Sequence, residues 1–195
     1  MRSIAWPSFV AEWGSTAAER ARPYPCDRLL PGAEMTLFRA VDVAAPAQTT
    51  FRWLCQLRAA PYSYDKLDNR GRRSPQQLTP GLELLEVGQR VQTIFRLAEF
   101  EPGRSLTMTS SGRVFGRVAV TYRAEPAGEG RSRILVKLLA DPAPGLHRPL
   151  MRALLAPGDL VMMRRQLLNL KRLAERTAAA AGTSSVGEPS PSPPG

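Results

Sequence analysis

Pro157-Gly158-Asp159-Leu160-Val161-Met162-Met163-Arg164-Arg165-Gln166-Leu167-Leu168-Asn169-Leu170-Lys171-Arg172-Leu173-Ala174-Glu175-Arg176 is the stretch around which the rest of the chain is organised. Leu160, Met163, Leu167, Leu170 and Ala174 recur at alternating steps of three and four, which puts them on one stripe of a 3.6-residue helix. Asp159, after Pro157 and Gly158, has a carboxylate suited to the first free backbone N–H groups, so the helix is expected to begin there. Lys171, Arg172 and Arg176 fall in the last turns, where cations oppose the negative end of the macrodipole. Such a helix would span roughly 27 Å, about the width of a small domain. Its polar face mixes Asp159, Gln166, Asn169 and Glu175 with the arginines, which favours a core-covering helix over one lying on a membrane. Val161 and Leu168 form a second, weaker apolar strip.

The 195 residues fit one domain with appendages, and 43% hydrophobic with 23% charged content is ordinary for a soluble globular protein. The net charge of +10 is not ordinary and raises the question of a polyanionic partner. The arginines, however, are scattered over the whole length, and Lys66, Lys137 and Lys171 are the only lysines. Nucleic-acid binding is therefore not expected. Cys26 and Cys55 with a single His147 do not make a zinc site, and no metal or cofactor is expected. With no secretory leader pattern and no apolar run of membrane-spanning length, a cytoplasmic location with reduced thiols is the expectation.

Residues 1–32 read as a partly irregular arm, in which Trp6, Phe9 and Trp13 make a small apolar helix face that anchors it to the domain. Met35 to Val43 alternates as a strand, and Pro46 opens a helix that buries Ala47, Phe51, Leu54 and Cys55, with Trp53 and Leu57 on a neighbouring side. The loop Pro61-Tyr62-Ser63-Tyr64-Asp65-Lys66-Leu67-Asp68-Asn69 concentrates tyrosines and carboxylates. These could line a polar pocket, or satisfy one another as a turn network, and the sequence leaves both open. Strands follow around Val91–Leu97, Ser105–Ser110, Val114–Tyr122 and Ser132–Ala140, separated by Gly/Pro turns as in an antiparallel meander. His147 to Leu155 reads as a short separate helix with Leu150, Leu154 and Leu155 inward, and residues 177–195 as a disordered Ala/Ser/Pro-rich tail.

One sheet with one apolar face needs a cover, and the terminal helix is the only element long enough. A cavity between them would be lined by alternate strand residues and the inner helix stripe: Phe95, Met108, Val120, Tyr122, Met163, Leu167 and Leu170, with Tyr62 and Tyr64 from the loop. Val161, Met162 and Leu168 are left for the preceding helix, the arm or a second subunit, as in a homodimer.

The Val43-Ala44-Ala45-Pro46-Ala47 step, the Pro61–Asp65 loop, Pro80-Gly81 with Leu84 and Gly88, and the Gly158–Leu167 helix together resemble the START-like polyketide cyclase/dehydrase and lipid-transport superfamily, over roughly Glu34 to Glu175. The resemblance implies an α+β helix-grip (Bet v 1-like) fold, a curved antiparallel sheet wrapped around a long C-terminal helix, with the domain over residues 33–176. It also implies binding or transport of an apolar small molecule, lipid or polyketide-like. Two other functions stand beside it: a cyclase or dehydratase-like enzyme with Asp65 as general base and Tyr62 or Tyr64 as orienting donors, and a regulatory protein-interaction module. Unlike the aromatic-polyketide cyclases, the chain shows no acid/base pair within its strands, and His147 reads as a surface or capping residue.

Overall fold

The computed structural model describes residues 6–69, 71–92, 94–112, 116–145 and 148–185. Three one-turn helices, α1 (Ser8–Ala11), α2 (Ala17–Arg20) and α3 (Cys26–Leu29), precede the first strand, β1 (Met35–Val43). Helix α4 (Ala47–Cys55) passes through a 3-10 turn, Gln56–Arg58, into a loop that holds the single turn α5 (Asp65–Asp68). Strands β2 (Arg90–Val91), β3 (Phe95–Glu101), β4 (Ser105–Gly112), β5 (Gly116–Pro126) and β6 (Ser132–Asp141) follow, and then α6 (Arg148–Ser185).

The strands form one antiparallel sheet in the order β1-β6-β5-β4-β3-β2, so a meander is closed by β1 pairing with β6 from Met35↔Ala140 to Val43↔Ser132. Period-two alternation divides the side chains between two faces. Leu37, Met108, Val120, Tyr122, Ile134 and Val136 share one core cluster with Phe51, Trp53 and Leu54 of α4 and with Met163, Leu167, Leu170 and Leu173 of α6. This is the gripped side of a curved sheet, an α+β helix-grip fold. Gly116, the first residue of β5, has φ +76° and lies hard against the end of β6: a Cβ there would be 2.0 Å from the carbonyl oxygen of Asp141.

The opposite face is also covered. Tyr24, Cys26 and Leu30 of the arm pack on Phe38, Ala40, Ala119, Leu135 and Leu139. The Tyr24 ring lies 4.4 Å below the Arg123 guanidinium and 5.4 Å below the Lys137 ammonium. The arm also closes the free edge of β1: the Ala40 N–H donates to the Trp13 carbonyl at 3.0 Å, and Gly14, at φ +75°, sits so close that a Cβ would be 2.1 Å from the Ala40 oxygen. Trp6 and Trp13 pack against the main core as expected of an anchor, while Phe9 is 69% exposed.

Several expectations need correction. Helix α6 does not start at Asp159 but runs continuously through Pro157 and Gly158 from Arg148. Proline lacks one ladder donor, yet the turns on either side keep the helix going, so Pro157-Gly158-Asp159 is not a cap. The expected short helix is therefore the first part of α6, and its Leu150 and Leu154 are exposed, with only Leu155 partly buried. Residues 177–185 of the expected disordered tail are helical; alanine has the highest helix propensity, and Thr177 Oγ1 accepts from the buried Trp53 indole N–H at 3.0 Å. The strand expected across Val91–Leu97 is broken into β2 and β3, with Gln92 at φ +52° between them. Val161 and Leu168 are exposed. Thr93, Val114, His147 and residues 186–195 lie outside the described residues.

Candidate functional site

The loop after α4 is tied to the inner face of α6 through consecutive carbonyls. The Pro61 oxygen accepts from Nε2 of Gln166 at 2.6 Å, and the Tyr62 oxygen accepts from Nδ2 of Asn169 at 2.8 Å. Residues 166 and 169 are one helical step apart on the same face, so the two bonds fix the loop's direction. Tyr62 is held at φ +56°, a conformation uncommon for a bulky residue, and such residues concentrate at ligand clamps. The Asp65 carboxylate clasps the far end of the loop, accepting from the Ser74 N–H at 2.9 Å and from the Ser74 hydroxyl at 2.5 Å.

Between this loop and α6 lies a groove of about 690 Å³. The loop contributes Tyr62, Tyr64, Asp65, Lys66 and Arg73, and α6 contributes Arg165, Asn169 and Arg172. Asp65 and Asn69 hold the loop through bonds to Ser74 and to the Arg72 carbonyl, and the same loop walls the groove. Among the described residues the groove carries four cations, Lys66, Arg73, Arg165 and Arg172, and one carboxylate, that of Asp65. The Arg165 guanidinium sits 5.9 Å from the centroid of the exposed Tyr64 ring. Tyr62 differs from Tyr64: it is 1% exposed, belongs to the main core cluster, and meets Trp53 edge-on at 6.1 Å. Its hydroxyl is buried without a hydrogen-bond partner among the described residues. Burial, and then the nearby Asp65 charge, push the phenol pKa up, so the group keeps its proton and can only donate or accept as a neutral hydroxyl.

The remaining expected site residues lie between sheet and helix. Met108, Val120, Tyr122, Met163, Leu167 and Leu170 belong to the same core cluster, and Phe95 packs against it partly buried. One polar chain crosses this apolar space. The Tyr122 hydroxyl donates to Oε1 of Gln166 at 2.7 Å and lies 3.3 Å from the Met163 sulfur, so Gln166 links the middle of β5 to the Pro61 carbonyl. Beside it is a buried ion pair: Arg39 Nη2 donates to Asp159 Oδ2 at 2.7 Å, with side-chain exposures of 1% and 10%. Burial raises the Asp159 pKa to about 6 against the opposing pull of Arg39, and burial likewise lowers that of Arg39. Neither this pair nor Gln166 is among the site residues expected from sequence. Arg39 stands on the same side of its strand as Met35, Leu37 and Val41, and a charge on an apolar face is the pattern that points to a buried partner. Among the described residues no group of three or more His, Cys, Asp and Glu is placed to hold a metal ion.

The family described as polyketide cyclase/dehydrase and lipid transport matches residues 35–175, from the first residue of β1 to the Glu175 carboxylate that accepts from the Ala44 N–H. The chain belongs to this family. Among solved structures, a protein from Thermobifida fusca superimposes with a TM-score of 0.51 at 16% identity, covering 72% of this chain and 93% of the other. The Zhui aromatase/cyclase from Streptomyces sp. R1128 gives a TM-score of 0.51 at 15% identity, covering 75% and 97%. At such identities the likeness is one of fold. No curated protein matches the chain by sequence. Among the described residues of this polyketide cyclase/dehydrase family member, no helix is long and apolar enough to cross a membrane.

Proposed function

We propose that this protein binds or carries an apolar small molecule, lipid or polyketide-like, between the curved sheet and α6, with entry at the groove beside Tyr62. The observation that carries this reading is the double position of Tyr62, whose ring belongs to the apolar core while the same residue walls the open groove. A ligand displacing that ring would pass from solvent straight to Trp53 and the inner stripe of α6. Apolar walls with few polar groups are the usual make-up of a small-molecule site, and Tyr122 and Gln166 supply such a polar spot here. Met108 and Met163 are unbranched and adapt to irregular shapes. Native mass spectrometry of the purified full chain, followed by organic extraction, tests it. A stoichiometric apolar adduct is expected; a folded protein that never carries one and takes up no apolar fluorescent probe would sink the reading.

A catalytic reading rests on the same groove, because Tyr62, Tyr64 and Asp65 all line it. Asp65 is spoken for by Ser74, which leaves the Tyr62 and Tyr64 hydroxyls as the candidate donors to a carbonyl. Turnover of a poly-β-carbonyl thioester that survives Asp65→Asn but not Tyr62→Phe would favour it.

A further inference from the structure

We propose that the groove between the Tyr62–Ser74 loop and α6 is an oxyanion site that takes the carboxylate or phosphate end of an amphiphilic ligand. The apolar remainder of that ligand is the molecule of the proposed function, and to that extent the inference rests on it.

Elsewhere in the molecule some arginines pair with carboxylates and others, such as Arg96 and Arg176, donate to backbone carbonyls; what distinguishes the groove is that its cations gather in one place. Arg22 meets Glu125, Arg133 meets Glu19 and Asp42, and Arg148 meets Glu34. In the groove, Lys66, Arg73, Arg165 and Arg172 converge without a carboxylate partner among the described residues, and Arg172 has only the Gln76 side-chain oxygen at 3.0 Å. Asp65, the one acid in the groove among the described residues, already receives two hydrogen bonds from Ser74. Four cations gathered in a concave space repel one another, and an anion relieves that repulsion.

The second observation is independent of charge. Tyr62 is buried, held at φ +56° by the Asn169 bond to its carbonyl, and has a hydroxyl without an acceptor. Buried donors are nearly always paired, so an orphan in a groove wall marks where a ligand oxygen belongs. An oxyanion accepts from a phenol and from guanidinium groups at once, and charge-assisted bonds of this type are the strong ones. A polar ligand alone would leave the apolar side of the Tyr62 ring unused, which is why an amphiphile fits better than a free ion.

The test uses isotope-labelled full chain titrated with octanoate, octyl phosphate and octanol, and separately with inorganic phosphate and acetate. Both anionic amphiphiles are expected to bind at least about tenfold tighter than octanol, as charge-assisted hydrogen bonding requires. Tyr62→Phe, and separately Arg165→Gln with Arg172→Gln, should narrow that gap toward unity, while Arg117→Gln, remote from the groove, should keep it. Octanoate or octyl phosphate being the tighter of the two names the source of the oxyanion. Octanol binding as tightly as the anions overturns the oxyanion site and leaves the apolar reading standing. If no alkyl compound binds but phosphate or acetate shifts the amides of residues 63–65 and the Asn169 side chain, the groove takes a free anion and not the end of an amphiphile, which overturns the proposal as stated together with the apolar reading. No response to any of the five overturns both.

Discussion

Arg39 reaches from β1 to Asp159 on α6 with an N–O distance of 2.7 Å, and both partners are buried. In the unfolded chain the Asp159 carboxyl titrates near 3.8; burial raises it to about 6 in the fold. Between those values the folded state holds more protons than the unfolded, so stability falls as pH rises through that window and the cost is complete above it. At about 1.4 kcal/mol per unit the cost is on the order of 3 kcal/mol. In urea unfolding the stability of the parent relative to Asp159→Asn should therefore fall between about pH 4 and 6, since Glu19 and Glu175 contribute alike to both. Arg39→Met with Asp159→Leu should be far less destabilised than either single change, since a lone partner strands a buried charge at roughly 3–5 kcal/mol. Equal losses for the single and double variants would argue against this account.

Gln166 satisfies groups on two sides, the Tyr122 hydroxyl and the Pro61 carbonyl. Gln166→Leu leaves both without their partner and should cost about 2–4 kcal/mol, against about 1–2 for Tyr122→Phe, which strands only one acceptor. Thermal melts of the two variants give the ordering.

Gly14→Ala places a methyl on the Ala40 carbonyl at a positive φ. The arm should lift from the β1 edge, which shows as faster amide exchange at Ala40 and as concentration-dependent association through the uncovered strand.

Thr177 lies beyond the point where the sequence pattern of the terminal helix fades, yet its hydroxyl takes the Trp53 indole N–H. Thr177→Val should cost about 1–3 kcal/mol by leaving that donor buried and unpaired. A chain ending at Arg176 should lose at least as much, and a truncation without effect on the melting temperature would contradict it.

The strands Met35–Val43 and Ser132–Asp141 and the inner stripe of α6 were legible because each depends on a local period, two for the strands and 3.6 for Met163, Leu167 and Leu170, and the antiparallel order was legible from the Gly/Pro turns between strands. The Tyr/Asp loop was legible as a concentration of functional groups, and the groove it walls was not, because Arg165 and Arg172 meet it from about a hundred residues away. Pro157-Gly158-Asp159 has the local signature of a helix start, but Asp159 is drawn inward by Arg39, a partner 120 positions away in sequence. The same distance hides the role of Thr177, whose neighbours are alanines that look like a tail.

The arm makes the two sides of the sheet mechanically unequal. At β1 the edge is hydrogen-bonded by the arm, the outer face is packed by Tyr24, Cys26 and Leu30, and Arg133 ties the arm to the strand end through Gly14 and Glu19. At the other side β2 joins β3 through only two residue pairs, and β3 slips register against β4 between Leu97 and Glu99. Amide exchange is therefore expected to be slower in the β1–β6–β5 half than in the β2–β3 half, where the Gln92 N–H is hydrogen-bonded to the Leu57 carbonyl at the foot of the groove loop.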